Sequence, residues 1–540
     1  MVKANPVTST DGYLRAHIPQ SVLVLSRQTK HLLRMRRHGP RMRFADFVGP
    51  TCLCVALVSG FGASTAAAAS LCDTRYLARD GAAPTIHIDP DVSRPFRLGL
   101  NLEVVPFQER LWNTEHTDTA MMDVLRSMPG TLLRYPGGSV ANRVDLNAAI
   151  GPGETRRAQG LTRWAGRRPV LFGPHEYVQF VRRVGAAPWL VANLWGDEAG
   201  AKTEDVMAAR FRSVLGTWPD GDVPGYVELG NELYFPHWGM SAEAYGHRAS
   251  EAVDLLSTVY PGVRPVIGLA GLDGGRHAVP FNRTVVGALG GRAVDFAFHY
   301  YHDGPPGGPP LEAVIGNVCE RIGQLGALGR SHARIWITEQ ARWPGGRVSD
   351  PDWARTWSNS FDLRAAVSSA EFTLAVARIP EVGGVFLHAL GGVRGPWRTF
   401  IENDAGALVP SAPMVAQQLL HALADGEVLA TQVHSPGQGR NALIQASGFR
   451  TSSGRIGVLV SNRSDVPVSA SLSIAGFGGV ERSTEVVVLT GTSMSDVAPA
   501  EGGGRGFRRA QSRGRQVFDA AGATLIQVPA RSVTRILFIH

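Results

Sequence analysis

Between residues 95 and 427, eight short apolar runs alternate with longer stretches of helical spacing. The runs fall at 96–105, 131–135, 188–194, 226–229, 264–270, 294–301, 334–338 and 382–390. Each is bounded by glycine, proline or a polar turn, and each is nearly continuous in its apolar character. That is the pattern of parallel strands covered on both faces. Between them the apolar positions recur at three and four. Ser241 heads a stretch that places Tyr245, Ala249, Ala252 and Leu256 on one side, and Pro261-Gly262 closes it. Leu363, Val367, Ala370 and Leu374 repeat the spacing before the eighth run. Eight strand–helix units predict an α/β chain folded as a (β/α)8 TIM barrel, with its site at the C-terminal ends of the strands.

After residue 428 the period falls to two. Val468, Ala470, Leu472 and Ile474 alternate with small or polar residues, as do Ile456, Val458 and Val460, and residues 532–539 read as a last strand. This predicts an all-β sandwich packed on the barrel. The stretch 493–515, which contains Gly502-Gly503-Gly504, reads as a loop within it. Alternation at residues 85–88 predicts a strand given to the sandwich from the front of the chain. A chain of 540 residues exceeds one ordinary core. The expected order is therefore a leader (1–69), an N-terminal segment (70–94), the barrel (95–427) and the sandwich (428–540).

The leader changes the reading of charge. Residues 1–69 hold nine Lys/Arg and two Asp/Glu, a net of +7 out of the chain's +8, which leaves +1 for the remaining 471 residues. A phosphate-binding surface is not implied, and a nucleic-acid partner is not expected. No charged residue occurs between Phe47 and Cys72. Arg36, Arg37, Arg41 and Arg43 precede that stretch, its apolar centre spans 52–58, and Ala66 to Ala69 offer small residues for cleavage. This is the layout of a secretory signal, and it predicts a secreted or periplasmic product. Cleavage removes Cys52 and Cys54 and leaves Cys72 and Cys319, too few for a tetrahedral metal site. A disulfide is open to an exported protein. Cys319 falls in a helical stretch, however, and the reading favours two free thiols.

Two of the buried-looking strands run out into a carboxylate. Residues 226–229 lead into Gly230-Asn231-Glu232, and the seventh run leads into Thr338-Glu339. Cleaving an acetal needs a proton for the leaving oxygen and an anion to meet an oxocarbenium-like carbon. Glu232 and Glu339 are the candidate pair. A neighbouring carboxylate helps to keep an acid protonated near neutral pH. Asn231 can hydrogen-bond the sugar hydroxyl beside the reacting carbon. Arg134, taken alone, reads equally well as a buried ion-pair partner. No glycine-rich phosphate loop or metal-ligand spacing is seen, so neither cofactor nor metal is expected.

Arg134-Tyr135-Pro136-Gly137-Gly138, the run Gly151-Pro152-Gly153-Glu154-Thr155-Arg156, Gly230-Asn231-Glu232 and His299-Tyr300-Tyr301 together resemble glycoside hydrolase family 51. Most of its members are retaining α-L-arabinofuranosidases of the large barrel clan. The resemblance implies Glu232 as acid/base on strand four and Glu339 as nucleophile on strand seven. It implies that Arg134 holds the nucleophile, that Glu103 grips the sugar, and that Trp164, His299, Tyr301 and Trp343 line the pocket. The expected partner is an oligosaccharide or polysaccharide. Two positions depart from the family pattern. Ser139 stands where the family has Asn, and Thr338-Glu339-Gln340 where it has Asp-Glu-Trp. Both touch specificity, so a β-glucuronidase, β-xylosidase or other pyranosidase of the same clan is the alternative. A non-catalytic carbohydrate-binding barrel is a further one, opposed by the presence of both glutamates.

Overall fold

The computed structural model describes residues 83–103, 119–162, 166–196, 214–216, 224–391, 395–403, 406–435, 444–499 and 506–539, together with Cys72. The predicted leader lies outside them. Eight parallel strands close a barrel in chain order: Arg97–Leu102, Leu132–Tyr135, Ala187–Ala192, Tyr226–Leu229, Arg264–Gly268, Asp295–His302, Ile335–Arg342 and Val382–Leu390. The eighth pairs with the first, with His388 opposite Asn101, and this closes the ring. Two ends differ from expectation by three residues or more. The first strand stops at Leu102. The seventh runs on through Glu339 to Arg342, because the rim residues keep pairing with strand six, Ala341 opposite Tyr301 and Arg342 opposite His302. The helix predicted behind Ser241 is Ala242–Val259, and the Ser241 hydroxyl accepts the Ala244 N–H at its first turn.

An aromatic plug fills part of the barrel interior. Trp189 stacks on Tyr226 at 4.6 Å and meets Trp336 and Phe386 edge-on at 5.0 and 4.9 Å. Gly99 on strand one makes room for it, since a Cβ there would sit 2.3 Å from the Phe386 ring. Two indoles join the plug to buried carboxylates of the barrel: Trp189 Nε1 donates to Glu228 Oε2 at 2.9 Å and Trp336 Nε1 to Asp295 Oδ2 at 3.0 Å.

The second unit is a nine-stranded sheet. Its order is Phe507–Val517, Glu481–Gly491, Ser532–Ile539, Ile456–Asn462, Ile444–Arg450, Glu427–His434, Thr85–Pro95, Val468–Ile474 and Ala523–Val528. It folds over its own core, in which Ile88, Ile444, Val460, Leu472 and Phe538 are buried together. Asn462 spans the fold, donating to the carbonyls of Val528 and Pro529. The predicted front strand is present, antiparallel to Glu427–His434 and parallel to Val468–Ile474. The loop expected at 493–515 is corrected: its second half begins the edge strand Phe507–Val517, paired along its length with Glu481–Gly491. That strand carries Arg508, Arg509, Arg513 and Arg515 and is exposed over most of its length, so no apolar alternation marked it. Charge of this kind keeps an unpaired sheet edge from recruiting another strand.

The cysteine expectation is also corrected. Cys72 and Cys319 form a disulfide across a Cα–Cα distance of 5.4 Å. Cys319 does lie in a helix, Leu311–Ala327, but a helical cysteine is no obstacle once the incoming chain approaches within the usual bridging range. Helix Leu363–Ala377, buried along nearly its whole length, lies between barrel and sheet. Across it Ser447 Oγ donates to Leu374 O (2.8 Å), and Arg378 reaches Gln445 (2.6 Å).

Candidate active site

Arg134, on strand two, is fully buried and uses all five of its N–H donors. Nε and Nη2 grip the two oxygens of Glu228 at 2.7 and 2.8 Å. Nη1 reaches Asn101 Oδ1 and Glu339 Oε1, both at 2.8 Å, and Nη2 reaches Asn231 Oδ1 at 2.7 Å. A guanidinium fork suits this role, because it meets one carboxylate bidentately and still spans to its neighbours. Burial opposes the charge on Arg134, but Glu228 and Glu339 outweigh it and hold the guanidinium protonated. Glu228 ends at about 2, since Arg134 and His299 overcome its burial.

Glu339 is almost wholly buried in the C-terminal half of strand seven. Its Oε1 accepts from Arg134 and, at 3.3 Å, from Asn101 Nδ2. Its Oε2 accepts the Tyr301 hydroxyl at 2.7 Å and lies 3.5 Å from His388 Nδ1. Burial pushes this carboxyl up; the charges of His299, His388 and Arg134 and the Tyr301 bond reverse that and bring it to about 2. Glu339 is therefore an anion with few water contacts, fixed from several sides.

Glu232 sits beyond strand four in a turn, at φ 50°, a conformation rare for a residue with a side chain. Asn142 holds that turn: its Oδ1 accepts the Asn231 N–H (2.9 Å) and its Nδ2 donates to Asn231 O (2.5 Å). His299 Nδ1 lies 2.9 Å from Glu232 Oε1 and 3.6 Å from Glu339 Oε2. Burial disfavours the His299 cation, but Glu339, Glu228 and Glu232 raise it to about 10. One carboxylate oxygen of each glutamate and the His299 ring nitrogen all lie within 4.8 Å of one another. Three such groups could hold a metal ion, as could Glu103, Glu339 and His388. The oxygens of Glu339, common to both sets, are already taken up by Arg134 and Tyr301.

With Asn231 Oδ1 bound to Arg134, its amide nitrogen is buried without a partner among the described residues. A buried donor left unpaired costs about 1–3 kcal/mol, so a ligand acceptor here would be welcome. Glu103 follows strand one, with its backbone N–H on Leu390 O and a carboxylate oxygen 4.0 Å from His388 Nε2. Gly138 permits this approach, since a Cβ there would lie 1.6 Å from Glu103 Oε1, while Gly137 clears Asn101, whose Oδ1 a Cβ would meet at 2.3 Å. Tyr301 packs against Trp343 (5.8 Å), His388 (5.5 Å) and Trp397 (5.0 Å). Trp343 therefore belongs to an aromatic wall, although its Nε1 is committed to Gly346 O. Trp164 lies outside the described residues. Asn101, Asn142, Glu228, His388 and Trp397 were not singled out from the sequence. Glu228 and His388 carried a signal: a charged or imidazole side chain inside an apolar strand must find a buried partner.

No family model matches the chain. A probable α-L-arabinofuranosidase C of Aspergillus niger is 29% identical over 166 residues, which is 28% of this chain and 32% of that protein. An intracellular exo-α-(1→5)-L-arabinofuranosidase of Streptomyces lividans is 23% identical over 289 residues, 48% of this chain and 43% of that one. The chain thus matches less than half the length of either relative. Among solved structures, the family 51 arabinofuranosidase of Xanthomonas axonopodis pv. citri superposes with a TM-score of 0.66 at 15% identity, over 85% of this chain and 100% of that one. The fold is the one found in family 51 arabinofuranosidases. These likenesses support the resemblance drawn from the motifs.

Proposed function

We propose that the chain is an exported retaining glycoside hydrolase that removes terminal α-L-arabinofuranosyl units from glycans. The observation that carries this reading is the approach of two carboxylates, from strands four and seven, to within 4.8 Å around His299. Retaining glycosidases need carboxyls ~5–5.5 Å apart, whereas inverting ones leave a wider gap for water. Glu339 is the nucleophile. It is ionised, and Arg134 and Tyr301 fix it for attack on the anomeric carbon. Glu232 is the acid/base. It gives its proton to the leaving oxygen as the glycosidic bond breaks and the Glu339 ester forms. It then takes a proton from the water that attacks the ester, so the product keeps its configuration. The unpaired Asn231 amide donates to the hydroxyl beside the reacting carbon, and Glu103 accepts from a second hydroxyl. The aromatic wall of Tyr301 and Trp343 meets the sugar's C–H surface. Exo action, named for the Streptomyces relative, is part of the proposal, since these groups suit one terminal sugar.

Export is part of the proposal. It rests on the leader and is supported by the disulfide, since such bridges persist in oxidising compartments. The test is a panel of 4-nitrophenyl glycosides, with product configuration followed by NMR. Cleavage of the α-L-arabinofuranoside with retention is expected. Cleavage confined to a glucuronide or xyloside would overturn the sugar assignment, and inversion would overturn the mechanism.

A further inference from the structure

Resting on the glycosidase reading, we propose that Arg463, supplied by the sheet unit, is a positioning residue for the Glu339 nucleophile. Arg463 directly follows sheet strand Ile456–Asn462. Its guanidinium reaches past the end of the sheet to two carboxylates of the barrel. Nε donates to Glu371 Oε2 at 2.7 Å, and Nη2 donates to Glu371 and, at 3.1 Å, to Asp303 Oδ2. Glu371 is buried on helix Leu363–Ala377. Asp303 is the residue after strand six, held at φ 58° with its Oδ1 accepting the Leu311 N–H.

From Asp303 a chain of bonds runs back to the catalytic strands. Ser368 Oγ donates to Asp303 Oδ2 (2.8 Å) and bonds His302 Nδ1 (2.9 Å), and His302 Nε2 lies 3.1 Å from Gln340 Oε1. His302 and Gln340 are buried. They flank Tyr301 and Glu339 in sequence, and side chains alternate along a strand. On the inner face Tyr301 donates to Glu339; on the outer face the next residue of each strand joins its counterpart. The tips of strands six and seven are therefore tied together twice, and the outer tie is anchored in the other unit through Arg463.

The charge bookkeeping makes Arg463 hard to replace. Burial works against the Asp303 anion; Arg463, His302 and Ser368 outweigh it and hold the carboxyl below its usual range. Without the guanidinium, Asp303 and Glu371 face each other with no cation between them. A buried carboxylate that loses its partner takes up a proton or moves. Movement of Asp303 shifts the end of strand six, and a displacement on the order of 1 Å at a reacting group can cost about a hundredfold in rate.

The experiment compares Arg463→Met, Arg463→Lys and Ser368→Ala with Ser447→Ala, which breaks a different contact of the same interface. The readouts are kcat and KM on a glycoside that the wild type cleaves, the unfolding midpoint, and a crystal structure of Ser368→Ala. Arg463→Met and Ser368→Ala should lower kcat roughly tenfold with KM within about twofold. Arg463→Lys should recover part of the loss. Ser447→Ala should lower the midpoint and leave kcat in place. Ser368→Ala retains the Arg463–Glu371 pair, so it tests the relay even if Arg463→Met does not fold. Wild-type kcat in Ser368→Ala, or an equal kcat loss in Ser447→Ala, would overturn the proposal. A wild type that cleaves no glycoside would sink the glycosidase reading alone. The tie would then be judged by the Tyr301–Glu339 bond in the Ser368→Ala crystal, which should lengthen from 2.7 Å; an unchanged bond would refute it.

Discussion

At the scale of single residues, the site separates two carboxylates by their surroundings. Glu339 is buried among cations and donors, whereas the Glu232 side chain is 17% exposed and meets His299 on one oxygen. Glu339→Gly should cut turnover by several orders of magnitude, because the covalent step is lost. Azide should restore part of it and release a glycosyl azide of inverted configuration. Glu232→Ala should cost roughly 10²–10⁴-fold on substrates with poor leaving groups and far less on activated aryl glycosides, since only the former need the proton. Equal losses on both substrate types would rule out a general acid. The same groups predict a pH dependence of stability. Glu228 and Glu339 are lowered from 4.5 to about 2, so their contribution is present above pH 4.5 and lost as pH falls toward 2. His299 is raised from 6.5 to about 10, so its contribution is full below pH 6.5 and lost as pH rises through 10. From these three groups, urea midpoints should fall on acidification from pH 4.5 toward 2 and again as pH rises from 6.5 toward 10. A midpoint that stays flat from pH 6.5 to 10 would speak against a cationic His299.

At the scale of elements, the barrel was legible because strands buried on both faces show as unbroken apolar runs, and eight of them were present. The two glutamates were legible for a related reason: a carboxylate directly after such a run has to be explained. Side chains that act from within a strand were harder to see. Asn101 and Thr338 look like ordinary polar interruptions until the ring closes and places them beside Arg134 and Glu228. The edge strand Phe507–Val517 was missed because its register is set by the ladder to Glu481–Gly491 and not by its own apolar faces. Element packing also supplies a prediction. Gly99 is small because Phe386 from the neighbouring strand occupies the place of its side chain. Gly99→Ala should destabilise by about 1–3 kcal/mol through overpacking. Adding Phe386→Leu should recover part of that loss, giving a non-additive double-mutant cycle in urea unfolding. Strict additivity would mean that the two positions do not share the space.

At the scale of the whole molecule, the chain's first described residues are bound into both units. Thr85–Pro95 adds a strand to the sheet formed by the C-terminal residues, and Cys72 is bridged to a barrel helix. The bridge spans 247 residues of sequence, so it closes a large loop and restricts the unfolded chain strongly. The reading that Cys319 falls in a helical stretch holds, since it lies in helix Leu311–Ala327; the inference drawn from it, two free thiols, does not. What the sequence could not show was that Cys72 comes within bridging distance of that helix. Breaking the bridge should cost about 2–5 kcal/mol, and the loss should be the same for Cys72→Ser, Cys319→Ser and the double variant, because one bond is removed in each. Reductant should lower the unfolding midpoint of the wild type to that of the variants and leave theirs unchanged. The bond also reports on compartment. Material recovered from the medium or periplasm should begin near residue 70 and titrate with no free thiol after denaturation. Secreted protein with two free thiols, or a product that keeps residues 47–69 and remains in the cytosol, would defeat the bridge in the first case and export in the second.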